Sequence, residues 1–166
     1  MESLSDSTIY MAYYTVSHLL QGGTIDGSSV GPIGITAEQL NADVWDYIFD
    51  RTETAPTTDI PIEKLDLLRN EFKYWYPMDL RISGKDLIRN HLTMSLYNHA
   101  AVWADKPQYM PRSFFVNGHS MLNDKKMSKA EGNFLTVNDC LDLYGADATR
   151  LVCADAGDTL DDANFR

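Results

Sequence analysis

The chain has 166 residues, enough for one domain with a buried core, and its 14 basic and 24 acidic residues give a formal net charge of −10. Because non-specific binding to nucleic acid depends on neutralising phosphates, this acidic balance argues against a general nucleic-acid surface, and any anion site must be local. No apolar run approaches the roughly 18 positions of a membrane span, and the first residues, MESLSDST, lack the basic and apolar segments of a targeting signal, so a cytoplasmic location is expected.

The first third of the chain predicts two helical segments. In SDSTIYMAYYTVSHLLQ, apolar residues recur at helical spacing behind Ser and Asp residues that can cap a helix, which ends at Gly22. Residues 22–35 are rich in glycine and predict a loop. Thr36 and Gln39 then have the spacing of a capping box, which predicts a short helix through Trp45.

In the middle of the chain the apolar period changes from that of a helix to that of a strand. After a loop over residues 51–60, an amphipathic helix begins at Pro61 and ends before Pro77. Its apolar face comprises Leu65, Leu68, Phe72 and Trp75. The alternating segment 78–83 then predicts a strand, and residues 86–103 predict a long helix.

The last third repeats this order of strand and helix. Residues 113–118 predict a second strand, and a lysine-containing loop follows it. Thr136 is positioned to cap a helix that Gly145 ends, and a last helix is predicted over residues 147–156. Strands that alternate with helices favour an α/β fold with a parallel sheet covered by helices, which binds ligands at the carboxyl ends of its strands.

The two cysteines predict no metal site and no redox motif. Cys140 and Cys153 both lie on predicted helices, without CxxC spacing and without paired histidines nearby. We therefore expect buried, reduced thiols.

The loop KKMSKAEGN concentrates positive charge in an acidic chain. An arbitrary cluster of three lysines is most often a solvated turn, and this interpretation stays open from the residues alone. However, Lys126 and Lys129 are three residues apart, the loop follows a strand, and Gly132 allows tight passage of the backbone. Two ammonium groups and several backbone N–H groups in this arrangement suit a polyphosphate.

KMSKA followed by EGN is similar to the Lys-Met-Ser-Lys-Ser signature loop of the class I aminoacyl-tRNA synthetases. Three longer stretches, SDSTIYMAYYTVSHLLQGG, WYPMDLRISGKDLIRNHL and YGADATRLVCADAGDTLDDANF, resemble leucyl-tRNA synthetase of the eukaryotic and archaeal type and cover most of the chain. The resemblance implies that residues 1–166 form the second half of a Rossmann-like catalytic domain. The half that carries the family's His-Ile-Gly-His signature is absent, as are the editing and anticodon-binding domains.

The resemblance also implies roles for the residues of the loop. Lys126 and Lys129 would stabilise the charge that accumulates on the phosphates of ATP as pyrophosphate leaves. Met127 and Ser128, between them, would contribute to the nucleotide site. The fifth position of the signature is Ala130 where the family usually has serine, which removes a hydroxyl group but no charge.

Two further segments are implied to bind the nucleotide. Gly84 and Asp86 would lie against the ribose, with the carboxylate accepting its hydroxyl groups. Asn117, Gly118 and His119 would hold the adenine through main-chain contacts. From the residues alone, a glycine turn with Asp86 as a helix cap and an ordinary strand end are equally good interpretations.

The amino-acid pocket is implied to include Thr8, Tyr10 and His91. His91 follows Asp86 on the same predicted helix, and a lone helical histidine is often a packed core residue. For Thr8 and Tyr10 the alternatives are capping and ordinary core packing. An apolar pocket separates leucine from isoleucine or valine by only about 10- to 200-fold.

The substrates and partners implied by the resemblance are ATP with Mg²⁺, leucine and tRNA(Leu), in an enzyme of translation without a membrane contact or a metal site of its own in this chain. The isolated segment is expected to have little activity. Membership of a multi-synthetase complex is left open. Two alternatives remain: a non-catalytic regulatory module derived from a synthetase, and a synthetase for isoleucine, valine or methionine.

Overall fold

In a computed structural model, the described residues are 7–24, 26–157 and 160–165, and they form two compact units. The first unit runs to Asp79 and includes His91–Ser113, and the second comprises Leu80–Asn90 and the described residues from Phe114 onward. Within these described ranges no helix combines the length and the apolar character that crossing a bilayer requires.

The first predicted helix is in fact two short helices, α1 (Tyr10–Tyr14) and α2 (Ser17–Leu20). The Thr15 hydroxyl group donates a hydrogen bond of 2.7 Å to the carbonyl of Ala12, three residues back. Such side-chain bonds compete with the helical ladder, which accounts for the break. Two of the expected capping residues, Ser5 and Asp6, lie outside the described residues.

The predicted capping box forms, but it caps only one turn. The backbone N–H of Thr36 donates to Oε1 of Gln39 at 2.9 Å, at the start of a 3₁₀ turn, Ala37–Gln39. The predicted continuation through Trp45 is wrong, because Asn41 starts a separate helix, α3 (Ala42–Ile48), by accepting a hydrogen bond from a backbone N–H of its first turn.

The amphipathic helix α4 (Ile62–Trp75) is confirmed, and it organises the core of the first unit. Its last predicted core residue is an exception, because Trp75 is 60% exposed. Two apolar clusters pack around the buried face of α4. Their buried members are Val16, Leu20, Ile33, Ile35, Val44, Tyr47, Ile48, Ile60, Leu65 and Leu68 in one, and Ala12, Phe72, Tyr76, Trp103 and Tyr109 in the other.

An ionic network is buried in the first unit around Asp50. The Asp50 carboxylate accepts hydrogen bonds from Arg69 of α4 and from the hydroxyl group of Tyr109 (2.6 Å), and the amine of Lys106 lies 3.0 Å away. The guanidinium group of Arg69 also donates to two backbone carbonyls. Asp50 has a φ of 55°, a left-handed conformation that Asp and Asn adopt more readily than most residues.

The second unit contains the predicted parallel strand pair. Strands β1 (Arg81–Gly84) and β2 (Phe114–Asn117) are parallel, with Gly84 opposite Asn117. The predicted first strand began earlier, at Met78, and the observed one is shorter. Ile82 and Phe115 are partners in the register and are 68% and 41% exposed.

The helix predicted after β1 is confirmed over most of its length but begins irregularly. A 3₁₀ turn at Lys85–Leu87 passes into a π-helical turn at Ile88–Leu92 and then into α5 (Thr93–Val102). π-Helical turns are rare and are frequent at functional sites. This irregular stretch contains Asp86 and His91 of the predicted sites.

A three-stranded sheet in the second unit was not predicted. Strand β3 (Ser120–Leu122) pairs antiparallel with β4 (Lys125–Lys126) and parallel with β5 (Ala163–Phe165). The first pairing forms a hairpin whose turn residues, Asn123 and Asp124, both have positive φ. The second shows that the last described residues form a strand, where we expected no regular element.

The two helices predicted after the loop are confirmed on either side of a break. They lie within α6 (Val137–Gly157), which Gly145 interrupts with φ 77° and ψ 165°. Thr136 caps the first of them, since its hydroxyl group accepts the backbone N–H of Asp139 at 3.1 Å. Cys140 is buried as predicted, but the prediction is wrong for Cys153, which is exposed; both thiols are free.

Candidate functional site

The candidate nucleotide site lies in the second unit, at the carboxyl ends of β1 and β2. Because Gly84 lies opposite Asn117 in the parallel register, the segments that follow the two strands begin side by side. Gly84 and Asn117 end the two strands, and Asp86, Gly118 and His119 follow them, so all five residues predicted for the ribose and the adenine lie at this edge. The structure therefore brings both segments together at the edge of a sheet where α/β proteins bind ligands.

Asp86 connects the strand ends to the lysine loop. Its Oδ1 lies 2.5 Å from Nε2 of His119 and accepts a hydrogen bond of 3.1 Å from the amine of Lys126. The hydrogen bond with His119, followed by that from Lys126, holds the pKa of the Asp86 carboxyl below its usual range. The side chains of Asp86 and Lys126 are 56% and 57% exposed, so an incoming ligand can reach both.

The lysine loop is a hairpin with a second turn attached to it. After β4, the backbone N–H of Met127 donates to the carbonyl of Ser120 at 3.1 Å. Ser128 and Asn133 then exchange two backbone hydrogen bonds, of 2.9 and 3.2 Å, and enclose the turn over residues 129–132. Gly132 has a φ of 69° in that turn, as its predicted role in tight backbone passage requires.

The two predicted catalytic lysines differ in their surroundings. The amine of Lys126 is held near Asp86, whereas Lys129 is exposed, and among the described residues its side chain has no ion pair or hydrogen bond. The structure thus brings Lys126, but not Lys129, to the strand ends. Met127 and Ser128 are partly buried between them.

The residues predicted for the amino-acid pocket lie together in the first unit. Nε2 of His91 is 3.0 Å from the hydroxyl oxygen of Ser7, and the rings of His91 and Tyr10 are 6.4 Å apart. Thr8 is buried, and its hydroxyl group accepts a hydrogen bond of 2.5 Å from Asn98. These internal bonds give Thr8 a structural role in the fold, whatever its role toward a substrate.

Sequence reasoning missed Lys85 and Asp162. Oδ1 of Asp162 accepts the backbone N–H of His119 at 2.6 Å and the amine of Lys85 at 2.5 Å. The bond from Lys85, followed by that from the backbone of His119, holds the pKa of the Asp162 carboxyl below its usual range. Asp162 belongs to the stretch GDTLDDANF, which carried part of the family resemblance, but nothing in its residue pattern indicates a contact with a strand end 43 residues earlier.

The strand ends leave open space beside the backbone of Gly84. A Cβ atom placed on Gly84 would have no neighbouring atom within 4 Å, so a ligand can approach the backbone there. In the described part of the chain, no three His, Cys, Asp or Glu side chains are grouped so that they could hold a metal ion.

The sequence matches that of a known class of enzyme. Residues 36–166 match the family model described as tRNA synthetases class I (M), and the chain belongs to this family. Over 99% of its length it is 54% identical to the cytoplasmic leucine–tRNA ligase of Pongo abelii, 50% to that of Saccharomyces cerevisiae and 52% to that of Dictyostelium discoideum. It spans only 14–15% of the length of these relatives.

Proposed function

We propose that this chain forms the second half of the catalytic domain of a leucine–tRNA ligase that acts in the cytoplasm. The observation that carries the proposal is the meeting of Asp86, His119 and Lys126 at the carboxyl ends of two parallel strands, in a chain about half identical to such ligases over 99% of its length. The proposed reaction is the ATP-dependent activation of leucine, followed by transfer of the leucyl group to tRNA(Leu).

In the activation step, a carboxylate oxygen of leucine forms a bond to the α-phosphorus of ATP, and the bond to the β-phosphate breaks to release pyrophosphate. Negative charge therefore grows on the departing phosphates, and positive groups that lie nearby lower the barrier. We assign this role to Lys126 and Lys129. Mg²⁺ would enter on the phosphates of ATP and supply further positive charge there.

We infer that binding of ATP exchanges partners at Asp86. In the structure, Oδ1 of this carboxylate contacts both His119 and Lys126. When ribose hydroxyl groups donate to Asp86, the amine of Lys126 is released and becomes available to the phosphates. Ion pairs between exposed side chains are worth about 0–1 kcal/mol, so this exchange opposes binding only weakly.

The remaining residues are assigned within each unit. Gly84 leaves room for the ribose, the main chain at Asn117, Gly118 and His119 holds the adenine, and Met127 and Ser128 contribute to the nucleotide site. Thr8, Tyr10 and His91 of the first unit contribute to the leucine pocket.

The proposed domain organisation also has physical support. Parallel sheets are normally covered on both faces, and here the Ile82 and Phe115 pair is exposed. We infer that further parts of a longer ligase cover this face, with the His-Ile-Gly-His half, the editing domain and the anticodon-binding domain supplied outside this segment.

A chimeric enzyme tests the function. The chain replaces the aligned segment of the Saccharomyces cerevisiae ligase, and ATP–pyrophosphate exchange is measured with leucine, isoleucine, valine and methionine. We expect exchange that depends on leucine, and charging of tRNA(Leu), from the chimera, and little activity from the isolated chain. A folded chimera that shows no exchange would favour the regulatory module, and one that prefers another amino acid would change the assigned substrate.

The role of Gly84 makes a separate prediction. Its φ of −74° suits any residue, and a Cβ atom would meet no neighbour, so Gly84→Ala should leave the melting temperature of the chimera unchanged. If the ribose packs against this backbone, the added methyl group should raise the KM for ATP by about 5- to 100-fold.

Gly118→Ala provides the contrast. There a Cβ atom would collide with the backbone carbonyl of Asp161, so this change should lower the melting temperature. An unchanged KM for ATP in the Gly84→Ala chimera would show that the ribose does not pack against Gly84.

A further inference from the structure

The segment that follows α6 is joined to the candidate nucleotide site by direct contacts. Asp162 accepts the backbone N–H of His119 at 2.6 Å and the amine of Lys85 at 2.5 Å. Its Oδ1 also lies 3.6 Å from Nδ1 of the His119 ring. The ring of His119 therefore lies between two carboxylates, with Nε2 facing Asp86 and Nδ1 facing Asp162.

The backbone contact at this point is too close for an ordinary side chain. Gly118 immediately precedes His119, and a Cβ atom on Gly118 would collide with the carbonyl of Asp161. The main chain after β2 and the main chain at residues 161–162 are thus packed directly on each other. This contact fixes where the carboxylate of Asp162 meets the N–H of His119.

The same segment also holds the hairpin that carries Lys126. Strand β5 begins at Ala163, directly after Asp162, and pairs with β3 of the hairpin. The side chain of Asn164 accepts the backbone N–H of Asp124 at 3.0 Å and donates to the carboxylate of the same residue at 2.6 Å. Residues 162–165 therefore contact both elements whose side chains meet at Asp86.

We propose that Asp162 is a positioning residue of the nucleotide site. It orients His119 and holds Lys85. As a result, the main chain at Gly118 and His119 is in place for the adenine, and the His119 ring faces Asp86. This inference rests on the proposed function. The acceptor is charged and the donor is a backbone N–H, an arrangement that gives shorter and stronger hydrogen bonds than neutral pairs. Positioning by a residue outside direct contact with the substrate resembles the way outer partners orient metal-binding histidines.

The proposal predicts a selective effect on ATP. In the chimera, Asp162→Ala removes both bonds and should raise the KM for ATP by about 3- to 10-fold, an effect of the size of one hydrogen bond, because Asp162 acts on ATP only through the main chain near His119. The KM for leucine should stay unchanged, because the residues assigned to leucine belong to the other unit. Asp162→Asn keeps an oxygen that can accept the N–H of His119, so it should restore most of the affinity for ATP.

Controls separate positioning from stability. Asp142 is exposed on α6, and Asp142→Ala makes the same chemical change in the same unit, so it should alter neither KM. Equal increases in both KM values, together with a lower melting temperature, would show that Asp162 has only a structural role and would overturn the proposal. If Asp162→Ala does not fold, Asp162→Asn and Lys85→Gln are compared instead. A larger rise in the KM for ATP with Lys85→Gln than with Asp162→Asn would overturn the role of the His119 contact.

The outcomes also separate this inference from the proposed function. A parent chimera without leucine-dependent exchange contradicts the function itself. A chimera that is active, that loses activity with Lys129→Ala and that keeps its KM for ATP with Asp162→Ala contradicts only the role of Asp162.

Discussion

Replacement of Lys129 by alanine is expected to lower leucine-dependent pyrophosphate exchange in the chimeric ligase by about 10- to 10²-fold, the loss of one charge-assisted contact in the transition state. Lys126→Ala should cause a loss of similar size. The expected fall is in kcat, because the charge that these lysines stabilise develops as pyrophosphate departs. The KM for leucine should remain unchanged in both variants.

Lys125 supplies the matched control. It precedes Lys126 in the hairpin, is exposed, and has no side-chain ion pair among the residues that the structure describes. If the general positive charge of the loop were responsible, Lys125→Ala would reduce exchange as much as the other two changes do. Exchange that is equal in the Lys129→Ala variant and the parent enzyme would contradict the proposed role of the loop.

The elements that the sequence predicts correctly are those with strong local signals. The apolar spacing of Leu65, Leu68 and Phe72 predicts α4, and the position of Gly145 predicts the break in α6. The change from a helical to an alternating period predicts β1, and its parallel pairing with β2 follows from the order of strands and helices. For α4, the break and β1, a few neighbouring residues determine the structure, whereas the pairing follows from the order of the elements along the chain.

The wrong predictions concern segments whose structure depends on a weak local signal or on a partner that is distant in the sequence. The turn of the hairpin, Asn123-Asp124, has residues that tolerate positive φ, a short signal that the predicted loop does not take into account. Strand β5 has only three residues and exists because β3 lies beside it, which no local pattern indicates. The break after α1 depends on one threonine side chain, and threonine is common within helices that are unbroken.

The residues of the candidate site also divide into those that the sequence indicates and those that it does not. The family resemblance indicates Asp86, His119 and Lys126, and the structure shows that the side chains of His119 and Lys126 both contact Asp86. The sequence could not reveal that Lys126 is paired with Asp86. Nor could it reveal Asp162, because its partners precede it by 43 and 77 residues and are reached only through the packing of the chain.

The buried network around Asp50 leads to the largest expected effect on stability. Asp50→Asn keeps the shape of the side chain and tolerates its left-handed backbone, but removes the negative charge that Arg69 and Lys106 face. Breaking a buried ion pair from one side costs about 3–5 kcal/mol. We expect about 3 kcal/mol, the lower end of that range, because the guanidinium group keeps its bonds to two carbonyls.

Urea unfolding of the chain, followed by tryptophan fluorescence, measures this cost, since all three tryptophans lie in the first unit with Asp50. Asp79→Asn is the matched control, because the side chains of Asp79 and Arg112 form an ion pair that is 76% and 64% exposed, and its loss should cost less than about 1 kcal/mol. Equal losses in the two variants would show that burial does not strengthen the Asp50 network.

Because of the same network, the free energy of unfolding should decrease as the pH falls into the acid range. Burial alone would raise the pKa of the Asp50 carboxyl, but hydrogen bonds from Tyr109 and Lys106 and the charge of Arg69 hold it below its ordinary value. Its contribution is therefore complete above the unfolded pKa, about 3.9, and is lost as the pH falls below that value. The free energy of unfolding of the unsubstituted chain should fall more steeply with acid in this range than that of Asp50→Asn, in which the group cannot titrate. Parallel curves for the two proteins would mean that Asp50 takes up its proton equally in the folded and unfolded states, contrary to the contacts that surround it.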